Sequence, residues 1–96
     1  MNFFFHPEAE KELMEAARYY ENCEKGLGAD FLIESYSAIK NIQAYPIAWT
    51  KVENDIRRYL LNRFPFAILY SFEQDAVYIL AVMNLHREPG YWKERV

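Results

Sequence analysis

Three apolar runs, 56–61, 66–72 and 76–83, follow one another with only Asn62-Arg63-Phe64-Pro65 and Glu73-Gln74-Asp75 between them. Links this short join only antiparallel neighbours, because a parallel return needs a crossover of a dozen or more residues. The runs therefore predict a three-stranded meander, against which everything earlier must pack. The third run is almost continuously apolar, which suits a central strand covered on both faces. The second should lie beside it. In the first, Arg57 and Arg58 are adjacent, so at least one of them must aim at solvent or a groove.

Ahead of the meander, Phe3-Phe4-Phe5 ends at His6-Pro7, and the bias of a pre-proline residue toward extended geometry predicts a short strand. A helix should follow, with Pro7 at its first position and Glu8, Glu10 and Glu12 near its positive end. Ala9, Leu13, Ala16 or Ala17, and Tyr20 form its apolar stripe. His6 is not a preferred N-cap type. Gly26-Leu27-Gly28 predicts a stop near Lys25 and a reversal, with a second helix from about Ala29-Asp30 to Tyr45-Pro46. The predicted stripe of that helix is Leu32, Tyr36, Ile39 and Ile42. The expected fold is α+β: an N-terminal strand, a two-helix antiparallel hairpin on one face, then the meander, forming one largely antiparallel sheet. The segment 46–55 reads as the longest irregular loop, with Trp49 as a lid over a core edge or, if exposed, a partner contact.

A chain of 96 residues with 52% hydrophobic residues, seven Phe, eight Tyr and two Trp suits one domain, 1–96, with one packed core. The single cysteine, Cys23, rules out an internal disulfide and fits a reducing, cytoplasmic setting. No apolar run approaches the roughly 20 residues that span a bilayer, so no membrane association is expected. Net charge is −3, yet residues 1–50 carry four basic and eight acidic groups while 51–96 carry seven and six. So mild an imbalance argues against tight non-specific nucleic-acid binding, which rests on many phosphate contacts. There is no Gly-rich phosphate loop, no Cys/His set at zinc spacing, and no histidine beside Cys23 in sequence, so no cofactor and no metal are expected.

What the second half does offer is cationic and aromatic: Arg57, Arg58, Arg63, His86, Arg87, Lys93 and Arg95, interleaved with Tyr59, Tyr70, Tyr91 and Trp92. These suit an anion or an acidic protein surface. Each also has a plainer reading. Arg57 and Arg58 would serve as solvated edge-strand charges, His86 as a tail residue bonded to backbone, and Tyr91 and Trp92 as a hydrophobic clasp holding the tail.

The order strand, helix hairpin, meander, together with Ile56-Arg57-Arg58, Arg63-Phe64-Pro65-Phe66-Ala67-Ile68-Leu69-Tyr70 and Ile79-Leu80-Ala81-Val82-Met83 running into Arg87-Glu88-Pro89-Gly90-Tyr91-Trp92, resembles the RelE/ParE superfamily of bacterial toxins. The likeness covers essentially the whole chain. The tail is similar to the His-x-x-Arg-x-Pro-x-Tyr-Trp pattern of the ParE-like, plasmid-stabilisation branch, with Asn84 where the histidine commonly stands. The resemblance implies the toxin of a type II toxin–antitoxin pair, held by a cognate antitoxin in a hetero-oligomer, with a homodimer as a further state. A ParE-like toxin would bind DNA gyrase and need not be an enzyme; a RelE-like one would cleave mRNA on the ribosome without metal. Toward a target it would present Arg58, Arg63, Arg87, Tyr91, Trp92, Lys93 and Arg95. Toward the antitoxin it would present Tyr19, Tyr20, Tyr36 and Trp49. A ribonuclease would need Arg57, Arg58, Arg63, His86 or Arg87 to hold phosphate and move protons. The acidic balance favours the gyrase reading. The substitution at Asn84 leaves room for a degenerate member that binds antitoxin without toxicity.

Overall fold

A computed structural model describes all residues, Met1–Val96. The chain runs β1 (Asn2–Phe5), α1 (Pro7–Cys23), α2 (Leu27–Ala44), β2 (Thr50–Glu53), β3 (Ile56–Leu60), β4 (Phe66–Glu73) and β5 (Ala76–Asn84), ending in a short 3-10 turn, Lys93–Arg95. One five-stranded sheet has the order β1-β5-β4-β3-β2. Strands β2 to β5 are antiparallel neighbours, and β1 lies parallel to β5, with Phe5 opposite Ile79 as its last pair. The meander therefore has four strands, not three. The additional one, β2, lies inside the segment predicted to be a loop, and it moves β3 from the edge to an interior position. Its pairing breaks between Lys51 and Glu53 and all four of its residues are exposed, so it carries no alternating pattern that would mark it in sequence.

Both helices cover one face of the sheet. The main core joins Ala9, Leu13, Ala16 and Ala17 of α1 and Phe31, Ala38, Ile39 and Ile42 of α2 to Phe66, Ile68, Tyr70, Val77, Ile79 and Val82 of the sheet. On α2 the buried stripe is Phe31, Ser35, Ala38 and Ile42 with Ile39, rotated from the predicted one; Tyr36 remains 42% exposed. The cause is Phe31, whose ring meets Phe64 and Phe66 with centroids 5.1 and 5.0 Å apart and so fixes which way α2 faces. A smaller core on the opposite face gathers Ile56, Leu69, Leu80, Ala81 and Trp92. The tail after β5 thus folds back as the lid of the second face.

Local caps differ from the predicted ones in kind. His6 does cap α1: its Nδ1 accepts the Glu8 amide at 3.0 Å. Helix α1 ends at Cys23, and α2 starts at Leu27, both earlier than the glycines suggested. The reversal is closed by Glu21, whose carboxylate accepts the amides of Gly26 (3.0 Å) and Gly28 (3.1 Å), placing negative charge at the α2 N-terminus. Gly28 permits the close crossing of the two helices, since a Cβ there would stand 2.5 Å from the Ala17 carbonyl and 2.9 Å from Glu21 Cβ. At the β4–β5 turn, Gln74 and Asp75 both take positive φ, 50° and 61°, the geometry of a two-residue hairpin. Gly28→Ala is expected to destabilise the fold by about 1–3 kcal/mol through overpacking at the helix crossing, measured as a lower urea midpoint with an unchanged slope.

Candidate functional site

Past Phe5, the outer edge of β5 loses its partner strand, and side chains take over. Glu12, one turn and a half into α1, accepts the Val82 amide at 3.0 Å, while Arg95 donates to the Leu80 carbonyl at 3.0 Å. The two side chains close on each other with a two-pronged pair, both contacts 2.9 Å, and Tyr91 donates its hydroxyl to the same carboxylate at 2.8 Å. Side-chain exposures of 13% for Arg95 and 16% for Glu12 make this ion pair far drier than the other three, whose side chains are all at least 41% exposed. A paired guanidinium in such surroundings is held charged: Arg95 is raised above its ordinary value, first by the bond to Glu12. Burial, then the bond to Glu12, pushes the Tyr91 phenol well above its usual range.

Arg87 stands on this arrangement. Its guanidinium lies 3.8 Å from the centre of the Tyr91 ring, which Arg95 also approaches at 5.0 Å. Asn84 steers the chain there: its Oδ1 accepts the His86 amide at 2.8 Å and its carbonyl accepts the Arg87 amide at 3.0 Å, a tight turn directly off β5. Arg87, Asn84 and Val82 form one wall of a groove of about 450 Å³, opposite Glu15, Ala16, Tyr19 and Tyr20 of α1, with Pro65 and Phe66 at one end.

The sequence-derived candidates separate into distinct places. Arg57 faces the helix side and donates to the Trp49 carbonyl at 2.7 Å. Arg58, next in the strand, points to the other face. There it lines a pocket of about 280 Å³ with Val52, Leu69, Met83, Gly90, Trp92 and Lys93. Arg63 pairs with Asp30 at 3.2 Å beside α2, its backbone amide bonded to Glu34. The exposed His86 engages only through its backbone amide. Lys93 pairs with Glu53 at 3.1 Å, and Trp92 is only 5% exposed as part of the second core. Of the five residues proposed for phosphate chemistry, the Arg87 groove and the Arg58 pocket each hold one.

Among the aromatic candidates, Tyr19 is 64% exposed on the groove rim, and Tyr20 packs on Phe64 with centroids 4.8 Å apart. Tyr36 lies at the far side of α2 against Phe5. Trp49 is a lid, 4.5 Å from Tyr59 and packed on the main core. The residue that sequence reading missed is Glu12. Its place in the first turns of a helix has a sufficient local explanation in the helix dipole, and only the return of residues 91 and 95 reveals its other partners.

The architecture is an α+β fold: strand, helix hairpin, then an antiparallel meander against which the first strand lies parallel. A solved chain of the "Chromosomal ParDE TA system from P. aeruginosa" shares it, with a TM-score of 0.76 over 88% of this chain and 95% of that one, at 18% sequence identity. No protein-family model and no curated protein matches the sequence. No helix is long and apolar enough to cross a membrane.

Glu12→Gln leaves Arg95 without its counter-charge and is expected to cost about 2–4 kcal/mol, toward the lower part of the range for breaking a buried pair because both groups retain some water contact. In urea unfolding, Glu12→Gln with Arg95→Met should cost less than the two single changes added together. Tyr91 contributes a pH dependence of definite sign. Its folded value is raised, so the native state holds the phenolic proton where the unfolded chain, at about 10, has released it. That contribution is fully present below about pH 10 and is lost as pH rises toward the folded value. Tyr70, pushed up to about 12 by burial, acts in the same direction. Stability measured across this alkaline range should fall less steeply in Tyr91→Phe than in the parent.

Proposed function

We propose that this protein is the toxin of a type II toxin–antitoxin pair, of the ParE-like kind, which arrests growth by binding DNA gyrase and is held inactive by a cognate antitoxin. The observation that carries the reading is the fold shared with a chain of a ParDE system over nearly the whole length of both. The tail supports it, because Arg87, Tyr91 and Trp92, the residues of the ParE-like pattern, occupy organised positions around the clasp. The dispersal of Arg57, Arg58, Arg63, His86 and Arg87 weighs against the ribonuclease alternative, since metal-independent cleavage needs an acid, a base and cations around one phosphate.

For the target, the sheet face away from the helices is the surface we favour. There Arg58 has no ion-pair or side-chain hydrogen-bond partner and stands over the apolar floor of Leu69, Met83 and Trp92, beside Lys93. An unpaired guanidinium over apolar side chains suits an acidic, partly apolar protein surface. Arg87, Tyr91 and Arg95 extend the cationic and aromatic character along the tail, Arg95 acting through its hold on Glu12, and Arg63 adds a separate cation beside α2. For the antitoxin, Tyr19 and Tyr36 supply exposed aromatic area, with Tyr20 behind the first and Trp49 at the opposite end of the sheet.

The test is induction without antitoxin, with gyrase-cleaved DNA and cuts in ribosome-bound message scored in parallel. Accumulated cleaved DNA with intact message is the expected result; position-specific cuts in message would transfer the chain to the RelE-like alternative, and unaffected growth to the antitoxin-binding, non-toxic one. Arg58→Ala should reduce gyrase inhibition at least about tenfold, as for an interface anchor, while leaving the melting temperature unchanged.

A further inference from the structure

The first strand is bare along its outer side. It ends the sheet, with β5 as its only neighbour, and the His6 amide, donating to the Ile79 carbonyl at 2.8 Å, fixes which of its backbone groups are used. Those groups alternate in direction along a strand, so Asn2, Phe4 and His6 turn theirs toward β5 while Phe3 and Phe5 turn theirs outward. No loop, cap or side chain takes the outward groups. The open stretch is bounded at both ends. Gln43 donates to the Met1 carbonyl at 2.6 Å, and Pro7 has no amide hydrogen to offer. What remains is one amide and one carbonyl on each side of Phe4, a layout with two-fold symmetry.

Nothing defends this edge. Exposed edge strands are commonly blunted by a charge, a proline or a bulge, and Asn2-Phe3-Phe4-Phe5 has none of these and pairs in unbroken register. Phe4 is 50% exposed and stacks on Tyr78, itself 37% exposed, with centroids 5.6 Å apart. Asn2 and His6 share the Phe4 face, since alternate side chains of a strand point the same way; His6, Phe4 and Tyr78 line one pocket there. The His6 Nδ1 accepts the Glu8 amide, so the neutral ring carries its proton on Nε2 and presents a donor. Neither that donor nor the exposed Asn2 side chain has a partner in the molecule.

We propose that β1 pairs antiparallel with β1 of a second copy of this chain, about a two-fold axis at Phe4. In that register Phe3 of each copy lies opposite Phe5 of the other and exchanges both backbone bonds with it, so every outward group on both edges is met. A slip of two residues fails. It sets Phe3 against Phe3 or Phe5 against Phe5, and brings the engaged Met1 carbonyl or the amide-less Pro7 opposite the remaining groups. At the axis the two Phe4 rings meet, flanked by the two Tyr78 rings. Asn2 of each copy then faces His6 of the other, an amide oxygen against the Nε2 donor. An unrelated extended segment could satisfy the backbone but not these side-chain pairings, which are self-complementary as an isologous interface requires. The two five-stranded sheets become one, with both Arg58 pockets on the same side.

The full chain, free of any partner protein, is followed by sedimentation velocity between about 1 and 200 µM, the span suited to a small interface. A reversible monomer–dimer equilibrium is expected. Phe4→Lys sets like charges directly opposite each other and should raise the dissociation constant at least about tenfold. The melting temperature of the dilute monomer should not change, since this side chain is half exposed. Cross-linking in a Cys23→Ser background reads the register. Under mild oxidation Phe4→Cys should give a disulfide-linked dimer, because opposed residues at the axis stand about 4.5 Å apart between Cα atoms, within disulfide reach. Asn2→Cys should not, its two copies being offset by about 13 Å along the strands. A chain that stays monomeric throughout, or one that cross-links equally through Asn2→Cys, overturns the proposal. Neither measurement reads toxicity, so the gyrase test and this one stand or fall separately.

Discussion

One carboxylate holds three parts of this molecule to each other. Glu12 belongs to α1, accepts a sheet amide from β5, and receives Tyr91 and Arg95 from the tail. Where β1 stops, an unpaired strand edge would otherwise present orphan polar groups against a helix, and such groups are costly when shut away from water. The Glu12–Arg95 pair answers that need with an acceptor and a donor of its own, at Val82 and Leu80. The position of the tail follows, and with it the burial of Trp92 on the second sheet face and the stacking of Arg87 on Tyr91.

Much of the fold was legible because its strong signals are local. The apolar runs of β4 and β5, the short links around them, and the stripe Ala9, Leu13, Ala16, Ala17 on α1 each follow from a period or a turn. What was not legible depended on contacts between distant residues. Strand β2 is four exposed residues whose only reason to extend is the neighbouring β3. The facing of α2 is decided by Phe31 against Phe64 and Phe66, and no periodicity ranks one aromatic above another as the deciding contact. His6 caps a helix although its residue type seldom does, because Pro7 fixes the chain ahead of it and Glu8 brings its amide within reach.

The candidate site was legible in type and not in arrangement. Counting cations in the second half of the sequence named candidates, but adjacency misled. Arg57 and Arg58 are neighbours in sequence and face opposite sides of the sheet, as any consecutive strand residues must. Arg63 is drawn to Asp30 on α2, away from the tail. Arg87 and Arg95, eight positions apart, meet on the two reaches of a single tyrosine ring. A charge tally along the chain therefore overstates how many groups can act on one ligand.

The Glu12–Arg95 contact joins residues 83 positions apart. Closing so long a loop costs only a little more entropy than closing one half its length, yet contacts of that span form only once the pieces between them have been brought together. The stacking of Arg87 on Tyr91 therefore presupposes the assembled sheet, and opening the single Glu12–Arg95 contact would release the tail, the stack and the bare edge of β5 together.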